Sequence, residues 1–468
     1  MVLNSMSSLP NLIDTWPLTP WVLAEVSPTE SGPLILIGVL LSLITVYATS
    51  KIGGELSKRL DLPPVLGELL GGVVVGVSFL HLLMFPENSS AASGSVIAQV
   101  VQWMGQLDAD AAMQIFESQS EVISVLAELG VIVLLFEIGL ESDLRELSKV
   151  GAQAAVVAIV GVVVPFTLGT LGLVSIFHVA VIPAIFAGAA LTATSIGITS
   201  KVLAELGHLK STEGQIIVGA AVIDDVLGII VLAVVASLAK TGEVDLLNVL
   251  YLIVSASAFL LGAILLGKFF NTGFVAIADK LQTRGALLIP AITFALIMAC
   301  LASAIHLEAI LGAFAAGLVL DETDKRNELD QQVMPIADFL VPIFFVTVGA
   351  KADLGVLNPM VAENRAGLII AAFLIVVAVV GKVVTGWAVF GQAEVNRLAI
   401  GVGMIPRGEV GLVFAGIGTA SGVLDRPLEA AIIMMVILTT FLAPPLLQMT
   451  LKEPSVEVGS SSAAAAAD

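Results

Sequence analysis

About thirteen apolar segments run through this chain, at roughly 33–50, 62–82, 121–140, 151–177, 179–202, 213–239, 246–268, 285–305, 307–321, 334–350, 366–390, 396–421 and 427–448. Backbone in hydrocarbon must satisfy its own hydrogen bonds. The chain is therefore expected to fold as an all-α polytopic membrane protein of about 13 transmembrane helices. Hydrophobic residues reach 57%, above the roughly 45–50% of a soluble chain. The single cysteine, Cys300, lies in an apolar run; it excludes an intramolecular disulfide and reads as a small core residue.

The net charge of −19 carries meaning only once the charges are assigned to sides. If the first segment runs from outside to inside, the inner loops collect Lys51, Lys58, Arg59, Arg145, Lys149, Lys201, Lys210, Lys268, Lys280, Arg284, Lys325, Arg326, Arg397 and Lys452. The outer loops collect Lys240, Lys351, Arg365 and Arg426. Such a positive-inside bias predicts an odd number of crossings, with the N-terminus out and the C-terminus cytoplasmic. Lys382 and Arg407 are left inside the membrane.

Residues 1–32 lack the basic start and unbroken apolar core of a signal peptide and read as an exported tail. The stretch from 83 to 120 holds acids and no Lys or Arg, which suits an outer loop. Residues 33–448 form the transmembrane domain. Residues 449–468 end in the low-complexity "VEVGSSSAAAAAD" and read as a disordered cytoplasmic tail, too short for a nucleotide-binding domain.

The two halves echo each other. "GLESDL" from Gly139 and "GAKADL" from Gly349 share a Gly-x-x-x-Asp-Leu exit from an apolar helix. Upstream, "GELLGGVVVG" with Glu68 and Gly72 matches "LEAILGAFAAG" with Glu308 and Gly312. An odd number of crossings separates the copies, so the repeats are inverted, and a binding site belongs near the midplane between broken helices. Two breaks occupy matching positions: "GAALTATSIGITS" around Thr194, and "GVGMIPRGEVGLVFAGIG" around Pro406. Unwound backbone at that depth persists only where protein or a water-filled cavity satisfies it. The Gly-rich run of the second segment packs helices and is no phosphate loop, since no strand precedes it.

Charged groups inside the spans are Asp224, Asp225, Lys382, Arg407 and Glu409, with Glu68 and Glu128 nearer the ends. A carboxylate at bilayer depth costs at least a few kcal/mol. Neighbours on a helix point about 100° apart, so Asp224 and Asp225 face different partners. Lys382 neutralises one. The other, with hydroxyls and carbonyls of the Thr194–Ser195 break, offers hard oxygen ligands for a small alkali cation, or binds a proton in its place. Competition between the two on one carboxylate is antiport in its simplest form. Arg407 and Glu409 can pair with each other or with Glu68, or cap the broken helix ends. A purely structural triad of Asp224, Asp225 and Lys382 is the competing reading. The four histidines all fall at segment ends.

At these residues the sequence resembles the monovalent cation:proton antiporters, in particular the bacterial sodium/proton exchangers with two adjacent aspartates, including cyanobacterial ones. "PPVLGELLGG", "LLFEIGLESDL", "LTATSIG", "VIDDVLGI", "FFVTVGAKADL" and "PRGEVGLV" follow that family's order from about 33 to 448. The resemblance implies the sodium/proton antiporter fold and a homodimer in which a six-helix core moves like an elevator against a dimerisation domain. By position it makes Asp225 the carboxylate that binds sodium or a proton, Asp224 its neighbour paired with Lys382, and Thr194 and Ser195 part of the unwound crossing. It implies an electrogenic exchange of sodium, or lithium, for protons in a plasma or thylakoid membrane, with no cofactor and no nucleic-acid partner. The rival readings are potassium/proton exchange on the same scaffold, sodium-coupled symport of an organic anion, and a transport-inactive sensor or channel.

Overall fold

The computed structural model describes residues 31–86, 94–241, 244–278, 280–357, 362–391 and 395–451. Most of the tails expected over 1–32 and 449–468 lies outside them; residues 31 and 32 already belong to the first helix. The chain opens with α1 (Ser31–Arg59), the short α2 (Pro64–Val75) and α3 (Val96–Gly105). Long α4 (Ala109–Glu141) and α5 (Leu144–Ser175) follow. The first interrupted crossing is α6 (Val181–Ala190) with α7 (Ile196–Glu205), followed by α8 (Thr212–Thr241) and α9 (Leu246–Ala278). Next come α10 (Leu288–Ala304), α11 (Ala309–Asp321), α12 (Arg326–Lys351) and α13 (Ala362–Val383). The second interrupted crossing is α14 (Arg397–Gly403) with α15 (Glu409–Ala420), and α16 (Arg426–Leu451) closes the fold.

Each of the thirteen apolar segments is thus a helix or an interrupted pair. Eight are long and apolar enough to cross by length and composition alone: α1, α4, α5, α8, α9, α12, α13 and α16. The other five are the two interrupted crossings and the shorter α2, α10 and α11. Between 83 and 120 the structure differs from the expected loop. Part of it is helix α3, and α4 begins at Ala109, capped by the Asp108 carboxylate, which accepts from Ala111 N–H at 2.7 Å. A hydropathy pattern registers only the apolar part of such a helix.

Both Gly-x-x-x-Asp-Leu motifs end in a capping aspartate. Asp143 accepts from the N–H groups of Arg145 and Glu146 at the start of α5, and Asp353 accepts from Gly355 N–H at the start of a short 3₁₀ turn. Their glycines permit close crossings. A Cβ on Gly139 of α4 would sit 2.9 Å from Gly317 Cα of α11, and one on Gly349 of α12 would sit 3.0 Å from Gly72 Cα of α2. The repeat therefore builds the same crossing twice, each time between helices from opposite halves.

The helices pack as two groups. One comprises α1 to α4 with α9 to α12; the other comprises α5 to α8 with α13 to α16. They meet along a seam where α4 and α2 touch α7, α9 touches α8, and α16 touches α2. Polar contacts across it include Val65 N–H, in the first turn of α2, to the Glu205 carboxylate of α7 at 3.3 Å, and Leu144 N–H of α5 to the Asp321 carboxylate of α11 at 3.3 Å. Cys300 departs from the expected core position and is exposed. On α10 the buried stripe is Ala291, Ala295, Ala299 and Ala302; these small residues allow close approach, and Cys300 falls on the opposite, outward side.

Candidate functional site

The two interruptions hold each other. Ser195 N–H donates to the Pro406 carbonyl at 2.8 Å, the Thr194 hydroxyl to the Met404 carbonyl at 3.2 Å, and the Thr199 hydroxyl to the Gly403 carbonyl at 2.8 Å. Pro406 has no N–H to extend α14, and four residues separate α6 from α7 beyond its Leu191 C-cap. Arg407 lies fully buried between them. Its Nη1 donates to the Ala193 carbonyl at 3.0 Å and toward that of Met404 at 3.5 Å. One guanidinium thereby satisfies carbonyls at the C-terminal ends of both α6 and α14, where the helix dipoles favour a cation. The Thr440 hydroxyl of α16 donates to Arg407's own carbonyl.

The N-terminal ends of α7 and α15, at Ser195 and Gly408, line the same space. Gly408 permits this close approach: a Cβ would lie 2.9 Å from Ser195 Oγ, so that side chain would have to shift.

Asp224 and Asp225 come from α8 and divide as the 100° step requires. Asp224 accepts from Lys382 Nζ at 3.0 Å, and neither side chain has exposed surface. Lys382 sits in the last turn of α13. Arg407 is within Coulombic reach of both, while Asp224 Oδ1 and Arg407 Nε and Nη2 make no hydrogen bond among the described residues. Two aspartates, a lysine and an arginine thus form a balanced group when all are ionised.

Asp225 turns instead into a cavity of about 10 Å³, with Thr194, Ser195 and Gly408 on the same wall. That volume holds roughly one water-sized occupant. Asp225 is 5% exposed. The opposite wall comes from the other helix group: Val131 of α4, Phe344 of α12, and Glu308 and Ile310 at the start of α11.

Of the expected site residues, the structure brings Asp224, Asp225, Lys382, Arg407, Thr194 and Ser195 together. Glu68 stands elsewhere, on α2, where it accepts from the Ser50 hydroxyl at 2.7 Å with Lys51 and Lys201 within Coulombic reach. It makes no pair with Arg407. Glu409 begins α15, but its side chain lies outside the described residues. Glu308 was legible in the sequence only as the repeat partner of Glu68. Nothing in the sequence singles out Thr199 or Thr440, because a hydroxyl in an apolar span most often bonds its own helix.

Residues 35–453 match the family model of the transmembrane sodium/hydrogen exchangers. The chain is 62% identical over 433 residues to the high-affinity Na(+)/H(+) antiporter NhaS3 of Synechocystis sp., covering 92% of this chain and 94% of the relative. It is 32% identical to the Na(+)/H(+)-K(+) antiporter GerN of Bacillus cereus, over 86% of this chain and 94% of that one. In fold it is similar to the sodium proton antiporter MjNhaP1 of Methanocaldococcus jannaschii, with a TM-score of 0.58 at 18% identity over 90% of this chain and 99% of that one. An inverted pair of interrupted helices cradling adjacent aspartates, in a chain matched along nearly its whole length, belongs to the sodium/hydrogen exchanger family of integral, multi-pass membrane antiporters.

Proposed function

We propose that this protein exchanges sodium, or lithium, for protons at Asp225 by alternating access, the helix group α5 to α8 with α13 to α16 sliding against the other. The observation that carries this reading is the division of labour on α8. Asp224 is held by Lys382, while Asp225 lines an ion-sized cavity beside the hydroxyls of Thr194 and Ser195. A hard carboxylate in a small space binds either a bare alkali cation or a proton, and not both. A cavity of about 10 Å³ favours an ion over the organic anion of the symport reading.

Exchange at Asp225 alone is neutral; a second proton released with Lys382 makes it electrogenic. The group α1, α2, α4 and α9 to α12 is the fixed scaffold of a homodimer, and α1 carries an exposed apolar face with Leu36, Leu40 and Ile44 for a second copy. The charge bias supports a cytoplasmic C-terminus, in a plasma or thylakoid membrane.

Proteoliposomes with a trapped pH dye and an acid lumen test the reading. Addition of sodium outside is expected to alkalinise the lumen in the wild type and not in Asp225→Asn. Potassium offered in the same assay discriminates the potassium rival, and a voltage dye reports charge movement. Dissipation that survives Asp225→Asn removes the proposal.

A further inference from the structure

Glu308 occupies a position that membrane energetics makes expensive. The helix it precedes, α11, has 13 residues, about 20 Å of rise, against a hydrocarbon core of about 30 Å. The far end of α11 is anchored by Asp321, which pairs with Arg326 at 2.6 Å and accepts from Leu144 N–H at 3.3 Å. With Asp321 at one boundary of the hydrocarbon, a helix of 13 residues leaves Glu308 short of the other.

The turn before it is specifically built. His306 adopts φ 64 at the end of α10, with His306 N–H bonded to Ser303 O at 3.0 Å and Leu307 N–H to Ala302 O at 2.9 Å. This is the paired bonding of a left-handed helix stop. It buries Leu307 and delivers Glu308 to the wall of the cavity that Asp225 lines from the other group.

A second acid marks the same approach. Glu128 lies three residues before Val131 on α4, so it shares the helix face that reaches the cavity, and it is exposed within a stretch otherwise apolar enough to span. Ionisable groups at such depth face water-filled passages rather than lipid.

We propose that Glu308 is a second carboxylate of the ion path, contributed by the opposing helix group, which shares the sodium ion or proton with Asp225 in this conformation and releases Asp225 when the groups slide. Glu308 and Asp225 line one cavity of about 10 Å³ from different helix groups, and two like charges facing one space favour a cation or a proton between them. Glu308 therefore strengthens ion capture only on the face where it meets Asp225, the face of the α10–α11 turn, which the charge bias assigns to the outside. This rests on Asp225 as the ion-binding carboxylate.

The experiment measures half-saturating sodium on each face, using right-side-out and inside-out vesicles that contain the full chain. Sodium-22 binding to the purified protein is measured alongside, for the wild type, Glu308→Gln, Glu308→Asp and Asp225→Asn. Glu308→Gln is expected to raise half-saturating sodium about tenfold on the α10–α11 face and leave the opposite face at the wild-type value. Glu308→Asp recovers most of the loss. No change on the α10–α11 face, or an equal change on both faces, overturns the proposal while Asp225→Asn still abolishes binding. Sodium binding that persists in Asp225→Asn overturns the reading of the site itself, and this proposal with it.

Discussion

Lys382 Nζ lies 3.0 Å from Asp224 Oδ2, with both side chains wholly removed from the surface. Removing one partner strands the other as a buried, uncompensated charge. Lys382→Met is expected to destabilise the fold by about 3–5 kcal/mol, and Asp224→Leu combined with Lys382→Met to recover most of that loss. Thermal unfolding of the four proteins in detergent measures the coupling. Additive losses in the double variant would show that the two side chains act separately.

Arg407 closes the carbonyl ends of both interrupted helices. Arg407→Gln takes the guanidinium donor away from the Ala193 and Met404 carbonyls, at about 1–3 kcal/mol for each group left unsatisfied. The expected result is a lower unfolding temperature together with faster amide exchange at Ser195, whose N–H bonds Pro406 across the crossing. Wild-type exchange at Ser195 in that variant would place the crossing's stability elsewhere.

The repeated glycine crossings are tested by a matched pair of alanines. Gly139→Ala puts a methyl 2.9 Å from Gly317 Cα, an overpacking expected to cost about 1–3 kcal/mol. On α5, a Cβ at Gly151 meets nothing within 4 Å. Gly151→Ala is therefore expected to be neutral or to stabilise by up to about 1 kcal/mol through helix propensity. Equal effects at the two sites would refute close packing at Gly139.

On the proposed reading sodium and proton compete for Asp225, and the sign of the pH effect follows. Lowering the pH protonates the carboxylate and excludes sodium, so half-saturating sodium rises as pH falls, by up to about tenfold per pH unit below the carboxylate's pKa. Transport assayed over a range of sodium concentrations at several pH values measures this. Half-saturation that stays constant through the pH range, or falls with acidification, contradicts a shared carboxylate.

Much of the site was legible because charge in hydrocarbon is so costly that its few instances announce themselves. Asp224, Asp225, Lys382 and Arg407 stood out against apolar runs, and Pro406 with the Thr194–Ser195 stretch marked the broken helices. Glu68 misled for the same reason: depth along a helix is readable, but the direction a side chain takes is not, and Glu68 turns to Ser50. Cys300 shows the same limit on α10, where an all-round apolar helix gives no periodic sign of its buried face.

The sequence by itself determined the helical class, the inverted repeat and the breaks, since all three follow from local rules: backbone satisfaction in lipid, recurrence of Gly-x-x-x-Asp-Leu, and the missing N–H of proline. The residues alone left open which aspartate Lys382 neutralises, which the family resemblance gave as Asp224 and the tertiary structure places at 3.0 Å; only the tertiary structure brought Glu308 and Asp225 to one cavity. Those relationships join residues more than eighty positions apart, on different helices. Rotation about a helix axis depends on contacts with other helices, which no local pattern encodes.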